Sequence, residues 1–170
     1  LFSVGPVIIV NVLDPTTHKK SATTSTVTLD AKTGAFTIEE TGILPESVTL
    51  KLADKSYVKG TDYELTFNSD GQLIVTSLRS SEGELLVTTA QPLSFVAEKL
   101  DPTMVTADDV VGGVDVAGKK SGFELVSECF PRFREVPGLL LAPGFSTSAT
   151  VAAAMAAKAD SINEHFQVTF

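Results

Sequence analysis

Apolar and polar positions follow three different rhythms along this chain, and the changes of rhythm divide it. From Val7 to Leu13 apolar residues run on, broken only by Asn11 and bounded by Gly5-Pro6 and Asp14-Pro15. Such a run reads as a strand covered on both faces, as in a parallel sheet. Residues 16–26 are polar, with His18-Lys19-Lys20 in the middle, and read as an exposed connection. From Thr26 to Ala97 the period becomes two. Thr26–Leu29 and Ala35–Ile38 flank a Lys32-Thr33-Gly34 turn, and Val48, Leu50 and Leu52 alternate with Thr49 and Lys51. Tyr63, Leu65 and Phe67 lead to Asn68-Ser69-Asp70-Gly71 and are answered by Leu73–Thr76; Glu84–Thr89 and Leu93–Ala97 follow. Asp-Gly between alternating runs is a hairpin signal, and no helical period competes. This stretch predicts a small antiparallel β-sandwich or barrel.

After Leu100-Asp101-Pro102 the pattern turns helical in short pieces. Thr106-Ala107-Asp108-Asp109 is a helix start that meets Gly112-Gly113 within a few residues. Phe123, Val126, Phe130 and Phe133 mark a helix face that Pro131 shortens or bends. Leu139–Ala142, between Pro137-Gly138 and Pro143-Gly144, reads as a second doubly buried strand. Ser146 and Ser148 are both placed to cap a helix whose buried face is Val151, Met155, Ala159, Ile162 and Phe166. Gln167–Phe170 opens a further strand, which makes a strand-helix-strand crossover. The fold class expected is therefore α+β or α/β: an α/β core interrupted by an all-β insert. Its expected divisions are 1–20 for the first core strand, 21–97 for the inserted β domain and 98–170 for the rest of the core, continuing beyond 170.

Composition narrows the partners. Thirteen basic and 21 acidic residues give a net charge of -8 over 170 residues, which disfavours nucleic-acid backbones and anionic membranes. No run approaches the roughly 18 apolar residues of a membrane span. The single cysteine, Cys129, sits among apolar and acidic neighbours and reads as inert core packing.

Candidate chemistry is thin. Gly144-Phe145-Ser146-Thr147-Ser148 stands where a strand turns into a helix, the setting of a hydrolase nucleophile, but Ser148 replaces the glycine that motif uses. The downstream histidine, His165, would lie roughly 28 Å away along the same helix at about 1.5 Å per residue. Gly113–Lys120 has the glycine and lysine spacing of a phosphate loop, with Lys120 in place of the magnesium-binding hydroxyl and no preceding strand. Glu39-Glu40 and Asp108-Asp109 are sequence neighbours, which point apart on regular structure, and His18 has no ligand partner at metal-binding spacing. No catalytic, cofactor or metal residue is assigned. Two alternatives stay open: a serine hydrolase using Ser146, and a glycan-binding module in which Tyr57 is the one aromatic candidate.

Several stretches resemble the contractile tail sheath proteins of bacteriophages and prophages. They are Gly5–Pro15, Leu100-Asp101-Pro102 with Thr106–Gly113, Phe130-Pro131-Arg132-Phe133, Val136–Ser146 and Val151–Ala159. The resemblance implies a structural subunit of the virion, assembled in the bacterial host cytoplasm, without enzymatic activity or cofactor. It implies neighbouring sheath subunits in stacked hexameric rings, the tail tube and the baseplate as partners, with terminal arms that add strands to neighbouring sheets. Contraction would then drive the tube through the host envelope for DNA ejection.

Overall fold

A computed structural model describes residues 5–30, 32–78, 92–160 and 162. The chain divides into two compact units, Pro15–Thr103 and the residues on either side of it. Helix and sheet are mixed, and the sheets are antiparallel, as in α+β proteins.

The β unit contains β1 (Lys19–Ser21), β2 (Thr26–Val27), β3 (Ala35–Thr41), β4 (Thr49–Leu52), β5 (Lys55–Tyr57), β6 (Tyr63–Phe67), β7 (Gln72–Ser77), β8 (Leu93–Val96) and β9 (Glu98–Leu100). One sheet has the order β2-β8-β4-β5, a second β3-β7-β6, and β1 pairs with β9. Period-two alternation decides what each strand buries. Leu93 and Phe95 of β8 are buried while Ser94 and Val96 are exposed, and Leu73 and Val75 of β7 are buried with half-buried residues between them. Inward residues of both sheets, among them Ile38, Leu50, Tyr63, Leu73, Val75 and Phe95, join one core cluster. The Tyr63 hydroxyl donates to the Val48 carbonyl at 3.3 Å, so the largest core side chain leaves no polar atom stranded.

Turn chemistry explains the connections. Asn68 Oδ1 accepts from the amides of Asp70 and Gln72 at 3.0 and 2.9 Å, and the β6–β7 hairpin closes as expected. Asp30 Oδ1 accepts from the Lys32 and Thr33 amides, both at 2.8 Å. That turn joins strands of different sheets, since β2 pairs with β8 and β3 with β7. Strand β5 has no sequence signal: its hairpin with β4 turns at Ala53-Asp54, with Ala53 at φ 50, and only Tyr57 of the strand is buried. Residues 16–26 are more than an exposed connection, because Lys19–Ser21 forms a ladder with Glu98–Leu100. That ladder is held by backbone hydrogen bonds and ion pairs, so it leaves no apolar alternation to read. The candidate strand Glu84–Thr89 lies outside the described residues.

In the other unit, α1 (Ala107–Val111) starts on a capping box. The Thr106 hydroxyl accepts from the Asp109 amide, and the Asp109 carboxylate accepts from the Thr106 amide at 2.7 Å. A hairpin, β10 (Gly113–Val114) with β11 (Lys120–Ser121), follows. Its base is flanked by Gly112 and Gly122, at φ 69 and 54, where an added Cβ would meet Ser121 O at 2.0 Å and Val110 O at 2.5 Å respectively. Only glycine fits both positions. A 3-10 turn at Gly122–Glu128 then leads into α2 (Cys129–Phe133), where Pro131 sits in the first turn and needs no hydrogen bond for its missing N–H. The expected single face is therefore divided: Phe123 and Val126 are buried, whereas Phe130 and Phe133 are exposed.

Helix α3 (Ala149–Asp160) buries Val151, Met155 and Ala159, which with Ile162, Val110, Phe123, Val126 and Leu140 form this unit's core. The two apolar runs expected to be doubly buried strands differ from expectation. Residues 7–13 form no strand, with Val7 76 % and Ile9 84 % exposed, although Val12 packs on the core. At Leu139–Ala142 there is a single β-bridge, and Leu139 and Leu141 are 54 % and 68 % exposed on either side of buried Leu140. A doubly buried strand needs paired neighbours and a layer on each face, and the described residues supply one face only. Gln167–Phe170, the last strand of the expected crossover, lies outside the described residues.

The chain has no tryptophan, and both tyrosines, Tyr57 and Tyr63, are buried in the β unit, so tyrosine fluorescence follows that unit selectively. In denaturant titrations read this way, Leu73→Ala is expected to destabilise by about 3 kcal/mol. Val96→Ala, on an outward position, should stay within about 0.5 kcal/mol. Equal losses would contradict the assigned inward and outward faces.

Candidate functional site

The junction ahead of α3 is the first place to look for chemistry. Of its two serines, Ser148 is the cap: its Oγ accepts from the Val151 amide at 3.4 Å and its carbonyl accepts from the Ala152 amide at 2.9 Å. Ser146, an equal candidate in the sequence, is exposed in the turn Pro143–Thr147. His165 lies outside the described residues, and His18, the other histidine, is buried in the β unit. Nothing described supplies Ser146 with a base.

Residues 113–120 are equally committed to structure. A phosphate loop needs free amides pointing at the ligand, but here the Ala117 and Lys119 amides both donate to Asp115 Oδ1 at 2.8 Å, and Gly118 donates to the Asp115 carbonyl at 2.9 Å. The turn is filled by its own carboxylate. Lys120 Nζ lies 3.1 Å from Glu128 Oε1 and donates to Ser127 Oγ at 2.8 Å. Hydrogen bonding from Arg132, then from Lys120, holds the Glu128 carboxyl below the usual carboxylate range.

The remaining candidates are likewise accounted for. Asp109 belongs to the capping box, while Asp108 and Glu39 are exposed. Cys129 is buried, and burial pushes its thiol up, away from the reactive thiolate. Tyr57 is 8 % exposed, with Lys55 Nζ 5.2 Å from its ring centroid, so it offers no open face for a sugar. Among the described residues no group of three His, Cys, Asp or Glu side chains is placed to hold a metal, and no helix is long and apolar enough to cross a membrane.

Two features go beyond what the sequence suggests. The first is Glu40, whose ion pair with Lys99 at 2.6 Å is the most enclosed of those described. Burial opposes its charge, yet Lys99, the Thr24 hydroxyl and the Thr23 amide together hold its carboxyl far below the usual range. Only the fold brings positions 23–24, 40 and 99 together, so no sequence spacing could reveal it. The second is the distribution of exposed large apolar side chains: among the described residues nine lie in the unit containing α1–α3, and three in the β unit.

These observations define a mixed α+β chain whose best-formed polar constellations are structural. The chain is similar to the tail sheath protein of Burkholderia phage BcepMu, with 31 % identity over 159 residues. The alignment covers 91 % of this chain and 31 % of that protein, so the chain spans about a third of the length of this curated relative. No family model and no solved structure matches the chain. The resemblance to the phage tail sheath family is thus supported by a curated homologue along nearly the whole chain.

Two outcomes test these assignments. Ser148→Ala should destabilise α3 by about 1 kcal/mol while Ser146→Ala is neutral, as read by amide exchange at Val151 and Ala152; the reverse order would return the cap to Ser146. Glu40 has a lowered folded-state pKa, so its stabilisation is complete above the ordinary carboxylate range near pH ~4.3 and is lost as pH falls below it. Thermal unfolding by tyrosine fluorescence should therefore fall less between pH 6 and pH ~3 in Glu40→Gln than in the parent chain. An identical acid response in the two would remove Glu40 from that role.

Proposed function

We propose that this chain is part of a structural subunit of a contractile phage tail sheath, a virion component without enzymatic activity. The similarity to the BcepMu tail sheath protein across 91 % of the chain carries this reading. In it, the unit containing α1–α3 belongs to the sheath core, and the β unit is an inserted two-sheet sandwich. The core packs against neighbouring subunits in stacked hexameric rings around the tail tube, ending at the baseplate, and contraction moves folded subunits as rigid bodies. The exposed apolar residues Val7, Ile9, Leu139 and Leu141 support an assembly role, because their desolvation would favour packing against other protein. Neither a hydrolase nor a glycan-binding module is favoured, given exposed Ser146 without a described base and buried Tyr57.

Negative-stain electron microscopy of the whole gene product that carries this sequence should show hollow tubes of sheath-like form. The double variant Ile9→Asp, Leu141→Asp should abolish them while far-ultraviolet circular dichroism shows the fold unchanged. Dispersed particles from the parent protein, or tubes unaffected by the double substitution, would contradict the reading.

A further inference from the structure

The base of the β unit is closed by its own two terminal strands. In the β1–β9 ladder Lys19 stands opposite Leu100, Lys20 opposite Lys99 and Ser21 opposite Glu98, so both covalent connections leave from one end. The other edge of β9 is held by residues 42–44: Leu100 donates to the Gly42 carbonyl and Leu44 to the Glu98 carbonyl, each at 2.8 Å. Glu40 lies just before that segment and gathers four donors. Its Oε2 receives Lys99 Nζ at 2.6 Å and the Thr23 amide at 3.0 Å; its Oε1 receives the Thr24 hydroxyl at 2.6 Å and the Thr24 amide. One carboxylate thereby ties the segment after β1 to β9.

We propose that Glu40 is a latch that stops fraying of the two connecting strands from spreading into the sheets of the β unit. Along the ladder run the Lys19–Glu98 pair, whose side chains are 34 % and 42 % exposed, and the Lys20–Asp101 pair, in which Lys20 is 51 % exposed and Asp101 11 %. The first is solvated at both partners and contributes little; the second is covered on its carboxylate side only. In the Glu40–Lys99 pair both partners are covered, Glu40 being 15 % and Lys99 19 % exposed. Opening past them strips charge-assisted hydrogen bonds from a covered carboxylate, which is far costlier. Pulling or hinging on the connections therefore loosens Lys19–Ser21 and stops at Thr23–Thr24.

Residue-resolved hydrogen exchange on the full 170-residue chain tests it. Glu40→Gln should speed exchange at least tenfold at the Ala22, Thr24, Leu44 and Leu100 amides, while amides of the β6–β7 ladder such as Val75 change less than twofold. Lys99→Met should give the same local pattern more weakly, and it supplies the test if Glu40→Gln fails to fold. Lys59→Gln, which breaks the exposed Lys59–Glu46 pair, should leave all these amides unchanged. Unaltered exchange at Ala22 and Leu100 in both latch variants, or acceleration at Val75 equal to that at Ala22, would overturn the proposal.

Discussion

Two antiparallel sheets that share one apolar core have to be sealed where the chain enters and leaves, and in the β unit that constraint falls on β1, β9 and Glu40. The core behind them is conventional, with alternating strands delivering Ile38, Leu50, Leu73, Val75 and Phe95 to a common cluster. The seal is polar. It relies on backbone ladders, on Gly42 at φ 76 beside Leu100, and on a carboxylate whose oxygens are both engaged. The division of the chain at 14/15 and 103/104 follows from it, because β1 and β9 pair with each other and stay with the sheets.

The other unit makes the opposite compromise. Helix α3 buries a stripe of Val151, Met155 and Ala159, and the capping box and paired glycines fix the short elements around it. Yet the described residues cover its two most apolar runs, at Val7–Leu13 and Leu139–Ala142, on one side only, leaving Val7, Ile9, Leu139 and Leu141 exposed. Ile9, at 84 % exposure, adds little to this unit's core among the described residues. An assembly role for a relative of a tail sheath protein gives these side chains a use.

What could be read from the sequence follows from which forces act locally. The helix start at Thr106, the Asn68–Gly71 hairpin and the Val151, Met155 and Ala159 part of the α3 stripe depend on residues a few positions apart and are legible; Phe166, expected on the same face, lies outside the described residues. Choosing between Ser146 and Ser148 was not, since both are acceptable caps and only the turn geometry separates them. The β1–β9 ladder and β5 escaped notice because their strands are polar and one turns at Ala53-Asp54 without a glycine. Val7–Leu13 differs from its expected double burial for another reason. Continuous apolarity reports what a segment is suited to contact, while exposure reports what the described residues supply. Glu40 stands in the sequence only as one of two adjacent acids, because its partners reach it from the segment after β1 and from β9.

At the centre of this account is a β unit that closes on itself at its base. The direct measurement is the amide NMR spectrum of residues 15–103 alone, compared with that of the full chain. If the unit is self-contained, the resonances of Leu50, Leu73 and Phe95 will superimpose in the two spectra. Collapse of the isolated unit to a poorly dispersed spectrum would show that its fold depends on residues outside it, and the account would fail.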